Sequence, residues 1–507
     1  MRIEGLIGVF LVALGAIATG QAPSSGRSVE LRGGLAAIDA GLRETSRPLA
    51  VGAPADVTGT TVEFYYEPRR VIAKFRESID DSIRGAILAD TQATIAVGPP
   101  DADFLLLQLS PAIDPAAAAA SLSMRPEIEY AQPSYRRYAH HVPNDPLLID
   151  QWNLSALRME RAWDINRGAS SSVVVAVIDS GVALATQTIQ FNAMTFRIGG
   201  RVFPSLGRIS VPFAAAPDLE GVDRFVDPWD FVWGDDNPVD MDGHGTHVAG
   251  TIGQTTDNGL GAAGMAFNVR FMPLKVLAGV WDLAFGRVSA CCGANDADIA
   301  AAISYASAHG AKIINISVGG TMPSPAVEAA LRAAVSKGSF VVLSAGNDYV
   351  NGNPTSYPAA YANSIDGVVA VGAVGRSLQR APYSSTGPYL ELVAPGGDQA
   401  HDGINGGIVQ QTLDASLSQT YEQGPARLSS PRFDVMTYDY YQGTSMAAPH
   451  VSGFAALLVS QGITAPAAIE AAMKRFAIDL GAPGRDDEYG YGLIDPPAAL
   501  RGLGLAR

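Results

Sequence analysis

Apolar residues fall along this chain in two rhythms. From residue 143 onward, continuous β-branched or apolar runs bounded by Gly, Asp or Asn ("SSVVVAVIDSGV", "NVRFMPLKVL", "AKIINISVGG", "SFVVLSAGN", "DGVVAVGAV") take turns with helix-like stretches ("ADIAAAISYASAHG", "PAVEAALRAAVSKG"). A strand with no polar face has to be covered on both sides, so these runs predict a buried parallel sheet with helices on each face. Ahead of them, residues 61 to about 138 read as strand ("RRVIAKF"), helix ("SIDDSIRGAILAD"), strand ("ATIAV"), strand ("DFLLLQLS"), helix ("DPAAAAASLSM") and strand ("IEYAQPSY"). That β-α-β-β-α-β order is the split βαβ pattern of a small α+β domain.

The remaining N-terminal sequence follows neither rhythm. Residues 23–60 are rich in Gly, Ala, Ser and Pro and read as a linker or leader. Residues 1–22 place an early Arg before an apolar run from Leu6 to Ala18, followed by small residues, which is the layout of a cleaved signal peptide. A membrane anchor is the competing reading, but that run is shorter than the roughly 20 residues a spanning helix needs. The expected division is therefore 1–22 signal peptide, 23–60 leader, 61–141 small α+β domain and 142–507 main domain. No later apolar run is long enough for a membrane anchor, so an exported monomer, extracellular or periplasmic, is expected.

Composition narrows the partners. At 47% apolar and 17% charged, the 507 residues are those of a compact soluble protein. A net charge of -15 without clustered Lys and Arg excludes a phosphate-binding footprint, and with it a nucleic-acid partner. The basic residues are almost all Arg, with Lys only at 74, 275, 312, 337 and 474, a skew that points to a GC-rich bacterial genome. The two cysteines, Cys291 and Cys292, are adjacent. They cannot staple distant segments, and either a vicinal disulfide or two free thiols fits the sequence.

In a doubly covered parallel sheet, chemistry collects at the carboxyl ends of the strands. Asp179 closes the run "VVVAVIDSGV", His244 opens a helix in "DMDGHGTHVAGTIG", and Ser445 opens another in "GTSMAAPHVSGFAALLVSQG". Taken singly they read as a turn-former, a capping group and a helix cap. Pro449, four residues after Ser445, leaves the Ser445 carbonyl without its helical partner, which is tolerable only near a helix start.

Taken together they have a different meaning, because Asp, His and Ser in this chain order on an α/β framework form the subtilisin arrangement. "VVAVIDSGV", "DGHGTHVAGTIG" and "GTSMAAPHVSG" resemble the three signature blocks of subtilisin-like serine proteases, the S8 subtilase family. "PNDPLLIDQWNL" resembles the start of their mature domain and "EYGYGLIDPPAAL" its close, so the resemblance covers about 143 to 505. It implies a secreted serine endopeptidase that cleaves protein or peptide substrates, with Ser445 as nucleophile, His244 as general base and Asp179 orienting the imidazole. "VLSAGND" resembles the block carrying the oxyanion-hole asparagine, which assigns that role to Asn347.

The resemblance extends to the cleft and the zymogen. Ser317, Val318 and Gly319 match one substrate-pairing wall, and Ala345 and Gly346 match the opposite one. Ser356 falls at the base of the P1 pocket, with Asp348 near its rim. An apolar or aromatic P1 residue is the default, and a rim carboxylate would also accept Lys or Arg. The Tyr357-Pro358 bond is expected to be cis. Asp230, Asp235, Asp236 and Asn237 resemble a calcium-binding loop in which Trp233 replaces one acidic ligand, and a solvated acidic loop is the equal alternative. Residues 61–141 resemble the inhibitor-like propeptide, a self-cleaved intramolecular inhibitor. Two stretches, "ALATQTIQFNAMTFRIGGRVFPSLGRIS" and "GGDQAHDGINGGIVQQTLDASLSQTYEQGPARLSSPRFD", look like insertions at the cleft rim. Three rival readings are a catalytically inactive interaction scaffold, an esterase, and a metal site at His244 and His247. The second lacks G-x-S-x-G and the third lacks HExxH.

Overall fold

The computed structural model describes residues 66–77, 79–96, 102–135, 141–198, 200–221, 223–418 and 429–502. The expected signal peptide and leader, together with residues 136–140, lie outside the described residues.

The small domain has the element order read from its sequence: β1 (Tyr66–Phe75), α1 (Asp81–Asp90), β2 (Ala93–Ile95), β3 (Leu105–Leu109), α2 (Pro115–Ser123) and β4 (Ile128–Tyr135). The four strands pair antiparallel in the order β2-β3-β1-β4. Both helices begin as their sequences dictate. Asp80 caps α1 by accepting from the Ser82 N–H, and Asp114 caps α2 by accepting from the Ala117 N–H, with Pro115 in the first turn. Val71, Leu107, Leu109 and Leu122 form the centre of its core.

The main domain is built on seven parallel strands in the order β10-β11-β5-β12-β13-β14-β15. These are β5 (Val174–Asp179), β10 (Trp229–Asp230), β11 (Arg270–Lys275), β12 (Ile313–Ile316), β13 (Phe340–Ser344), β14 (Val368–Val374) and β15 (Leu390–Pro395). Every residue of β5, β12, β13 and β14 is buried, as continuous apolar runs require. Its helices include α3 (His244–Gly253), α4 (Val280–Ala284), α5 (Asp296–Ala308), α6 (Pro325–Ser336), α7 (Thr444–Ser460) and α8 (Pro466–Phe476). Helix α7 packs on α3 and across β12 to β15.

The two insertions form one structure together. The first folds as a ladder of β6 (Gln187–Ala193) with β9 (Gly207–Phe213), with β7 (Phe196–Ile198) and β8 (Arg201–Phe203) paired inside it. The second contributes β16 (Ile408–Leu413), paired with β17 (Met436–Tyr441). The Phe433 N–H donates to the Pro212 carbonyl at 3.0 Å, and the Phe213 and Phe433 rings stack 5.0 Å apart. Phe191, Phe196, Phe203, Val239, Trp281, Phe285 and Leu413 complete a second apolar cluster around them. Each such side chain, once buried, stabilises the fold by about 1.5–3 kcal/mol, enough to hold the insertions as an ordered layer. That layer reaches helix α3, where the Thr412 hydroxyl donates to the Gly243 carbonyl at 2.8 Å.

Candidate active site

Asp179 is the last residue of β5 and is wholly buried. His244 is the first residue of α3, and its Nδ1 lies 2.7 Å from Asp179 Oδ1. The approach of the helix to the strand end depends on Gly245: a Cβ there would come within 2.1 Å of the Gly181 carbonyl and 3.1 Å of Asp179 Cβ. Ser180 fastens the same junction. Its N–H donates to Asp179 Oδ1 at 2.7 Å, and its hydroxyl accepts from the Gly245 N–H at 2.9 Å. Burial disfavours a charged His244, but the charge and hydrogen bond of Asp179, with the charges of Asp242 and Asp240, outweigh it and raise the imidazole pKa to about 9.

Ser445 is the second residue of α7 and is half-buried. Its hydroxyl donates to the Ser317 carbonyl at 3.4 Å, and among the described residues no hydrogen bond joins it to His244. Such contacts are often loose without substrate and tighten in the reacting complex. The carbonyl that Pro449 leaves without a helical partner accepts from the Ser317 hydroxyl at 3.1 Å. Gly443, just before the helix, has φ 150°, a value that favours glycine, and leads the chain past the Asn347 amide.

Asn347 follows β13 and is exposed. Its side-chain oxygen accepts from both the N–H and the hydroxyl of Thr444, each at 2.9 Å. A backbone N–H can only donate, so this contact fixes the oxygen on Thr444 and leaves the Nδ2 donors free. Ser317 to Gly319, expected to form one substrate-pairing wall, leave β12, and Ala345 and Gly346, expected to form the other, leave β13. Ser356 is buried between them: a Cβ added at Gly319 or Gly346 would stand 3.1 or 2.9 Å from its hydroxyl. Asp348 accepts from the Asn351 side chain at 3.0 Å. The Tyr357-Pro358 peptide is cis, and Cys291 and Cys292 are joined by a vicinal disulfide.

In the expected calcium loop one carboxylate oxygen of Asp230 and one of Asp235 are taken up by backbone N–H groups, while Asp230 Oδ2 is buried without a partner among the described residues. Asp230 is buried, and its Oδ1 accepts from the N–H groups of Val232 and Trp233 at 2.8 and 2.9 Å. Asp235 accepts from the Asn237 N–H, the Asn237 side-chain oxygen accepts from Gln187, and Asp236 is exposed. Lys275, paired with Asp230 in the sheet, already brings a positive charge there. Among the described residues no group of three or more His, Cys, Asp or Glu could hold a metal ion. His247 is wholly buried and bonds the Ile408 carbonyl through Nε2, and burial lowers its pKa to about 3.

A different carboxylate pair escaped the sequence reading. Asp145 and Asp218 are both buried, and burial followed by the charge of Asp218 raises the Asp145 pKa. Asp218 accepts from Asn258, the Ala262 N–H and the Tyr438 hydroxyl at 2.7, 3.2 and 3.1 Å, whereas Asp145 Oδ1 is buried without a partner. The only local signal was Asp145 in the "PNDP" stretch, because Asp218 joins it through tertiary contacts alone.

Comparison with known proteins places the chain in a family. The subtilase family (peptidase S8) matches residues 170–492, and the fervidolysin N-terminal prodomain family matches residues 52–134. The thermophilic serine proteinase of Bacillus sp. (strain AK1) is 32% identical over 404 residues, 78% of this chain and 79% of that protein. Fervidolysin of Fervidobacterium pennivorans is 30% identical over 365 residues, which are 71% of this chain but only 44% of that protein. The crystal structure of fervidolysin covers 86% of this chain and 61% of its own, with TM-score 0.51 and 24% identity, a likeness of fold. The molecule is thus a hydrolase of the serine protease class. It belongs to the subtilase family and carries a fervidolysin-type prodomain ahead of the protease domain.

Proposed function

We propose that this subtilase is a secreted bacterial endopeptidase, made as a self-processed zymogen, in which Asp179, His244 and Ser445 are the catalytic triad. The contact between Asp179 and His244 at 2.7 Å carries this reading. A buried carboxylate on Nδ1 holds the tautomer that leaves Nε2 free to take a proton. Ser445 attacks the scissile carbonyl, His244 Nε2 accepts its proton and delivers it to the leaving amine, and water then hydrolyses the acyl-enzyme. Asn347 Nδ2 and the Ser445 N–H, at the positive end of α7, donate to the oxyanion. The substrate pairs as an extended strand between Ser317–Gly319 and Ala345–Gly346, with Ser356 at the base of the P1 pocket. Casein hydrolysis far faster than p-nitrophenyl ester turnover is expected. Ester turnover without casein cleavage would favour an esterase, and neither activity would favour an inactive scaffold.

General-base catalysis requires neutral His244, so kcat/KM rises as the imidazolium loses its proton. With the pKa raised to about 9, the acid limb of the kcat/KM profile lies well on the alkaline side of an ordinary histidine. A limb at or below pH 6.5, the unperturbed histidine value, would contradict the Asp179 pairing.

Residues 61–141 act as the propeptide, folding first and then occupying the cleft with the stretch that follows β4, which is cut between about Tyr138 and Pro143. The match of residues 52–134 to a prodomain family supports this. Parallel sheets with distant pairings fold slowly, and a docked module stabilises their nucleus.

Structural calcium is a general property of subtilases. In this chain Asp145 Oδ1, beside Asp218, and Asp230 Oδ2, in the acidic loop, are both orphaned buried carboxylate oxygens; the Lys275 charge beside Asp230 disfavours a cation there, so Asp145, Asp218 and the Asn258 side chain fit the ion better. A calcium ion at 100 times its Kd would stabilise the native state by about 2.7 kcal/mol. EDTA should shorten the thermal half-life, Asp218→Asn should abolish that sensitivity, and Asp235→Asn should leave it intact. An EDTA effect lost only in Asp235→Asn would return the ion to the acidic loop.

A further inference from the structure

Three adjacent strands end side by side on charged residues. The register pairs Asp230 of β10 with Lys275 of β11, and Lys275 with Asp179 of β5. Lys275 is 1% exposed, a place where an ammonium persists only when paired and hydrogen-bonded. Its Nζ donates to the Ser180 carbonyl at 3.1 Å and lies 3.4 Å from Asp282 Oδ2. Asp282, in α4, is wholly buried and held by the Trp233 indole at 2.6 Å and the Gly279 N–H at 2.7 Å. Burial opposes the Lys275 charge, but the carboxylates of Asp282, Asp230 and Asp240 outweigh it, so the ammonium stays protonated.

The residue it grips is the one that joins the two halves of the site. Ser180 donates its N–H to Asp179, accepts from the N–H of Gly245 next to His244, and donates its hydroxyl to Asp240 Oδ1 at 3.0 Å. We propose that Lys275 is a positioning residue for catalysis: anchored by Asp282, its ammonium fixes Ser180 and thereby the Asp179–His244 geometry, serving as a cation supplied by the chain itself beside Asp230. The inference rests on the triad reading.

The test uses the matured protein, with active sites counted by a serine-reactive phosphonate so that misfolded molecules do not dilute kcat. Lys275→Met should lower kcat per titrated site by about ten- to a hundredfold with KM little changed, the effect of a small misplacement of reacting groups. Lys275→Arg, which keeps a charged donor, should recover much of the loss. Because Lys275→Met leaves Asp282 buried without its partner, the double variant Lys275→Met/Asp282→Asn removes that penalty. It should regain Tm yet keep the low kcat, since methionine cannot donate to the Ser180 carbonyl. Wild-type kcat per site in the double variant would overturn the proposal and leave Lys275 a purely structural ion pair. Should Lys275→Met not fold, the double variant decides. Failure of the phosphonate to label wild-type Ser445 would instead sink the triad reading.

Discussion

Ser445→Ala should lower kcat by about 10⁶, a loss carried over from the nucleophile knockout of subtilisin, a member of the same family. The substitution removes one oxygen at the start of α7 and leaves the helix intact, because the Ser445 carbonyl keeps its bond from Ser317 and the alanine favours the helix. The folded variant should therefore still bind substrate and still carry residues 61–141. Wild type, produced alone with no other protease, should shed them. If Ser445→Ala matures normally under those conditions, the nucleophile or the processing route must be reassigned.

Asn347→Leu should lower kcat by about 10²–10³ with little change in KM, again the magnitude known for the matching donor of subtilisin rather than one found from this geometry. The reason for the split is the orientation of the amide. With its oxygen held twice by Thr444, Asn347 offers its Nδ2 to charge that develops only in the transition state, so ground-state binding loses little. Leucine keeps the volume and removes the donor. Loss of the Thr444 contacts also loosens the start of α7, so kcat is to be measured per titrated Ser445. A rise in KM at constant kcat would make Asn347 a substrate contact instead of an oxyanion donor.

What could be read in the sequence was the part that short-range pattern determines. The small domain emerged almost residue for residue because each strand and helix has its own period and its own cap, as at Asp80 and Asp114. Buried strands of the large sheet announced themselves as runs with no polar face. Asp179, His244 and Ser445 were legible because each sits at the end of such an element inside a long signature.

The remainder depends on contacts that no local window contains. The two insertions looked like separate decorations at the cleft rim, yet Phe213 and Phe433 join them into one layer that reaches Gly243. The acidic loop at β10 is oxygen-rich in sequence, but Asp230 and Asp235 each turn one carboxylate oxygen toward their own backbone and a lysine stands beside Asp230 in the sheet. Asp145 and Asp218 show the converse: neither stretch is conspicuous alone, and only the fold brings two buried carboxylates together.

The central claim is that Ser445 is a nucleophile made reactive by His244, itself held by Asp179. It is tested most directly by treating the mature protein with a fluorophosphonate and mapping the adduct by mass spectrometry. The account predicts one modified residue, Ser445, labelled rapidly in wild type and much more slowly in His244→Ala, with casein hydrolysis lost in step with labelling. An adduct on another residue, or full proteolysis by a protein whose Ser445 stays unlabelled, would contradict it.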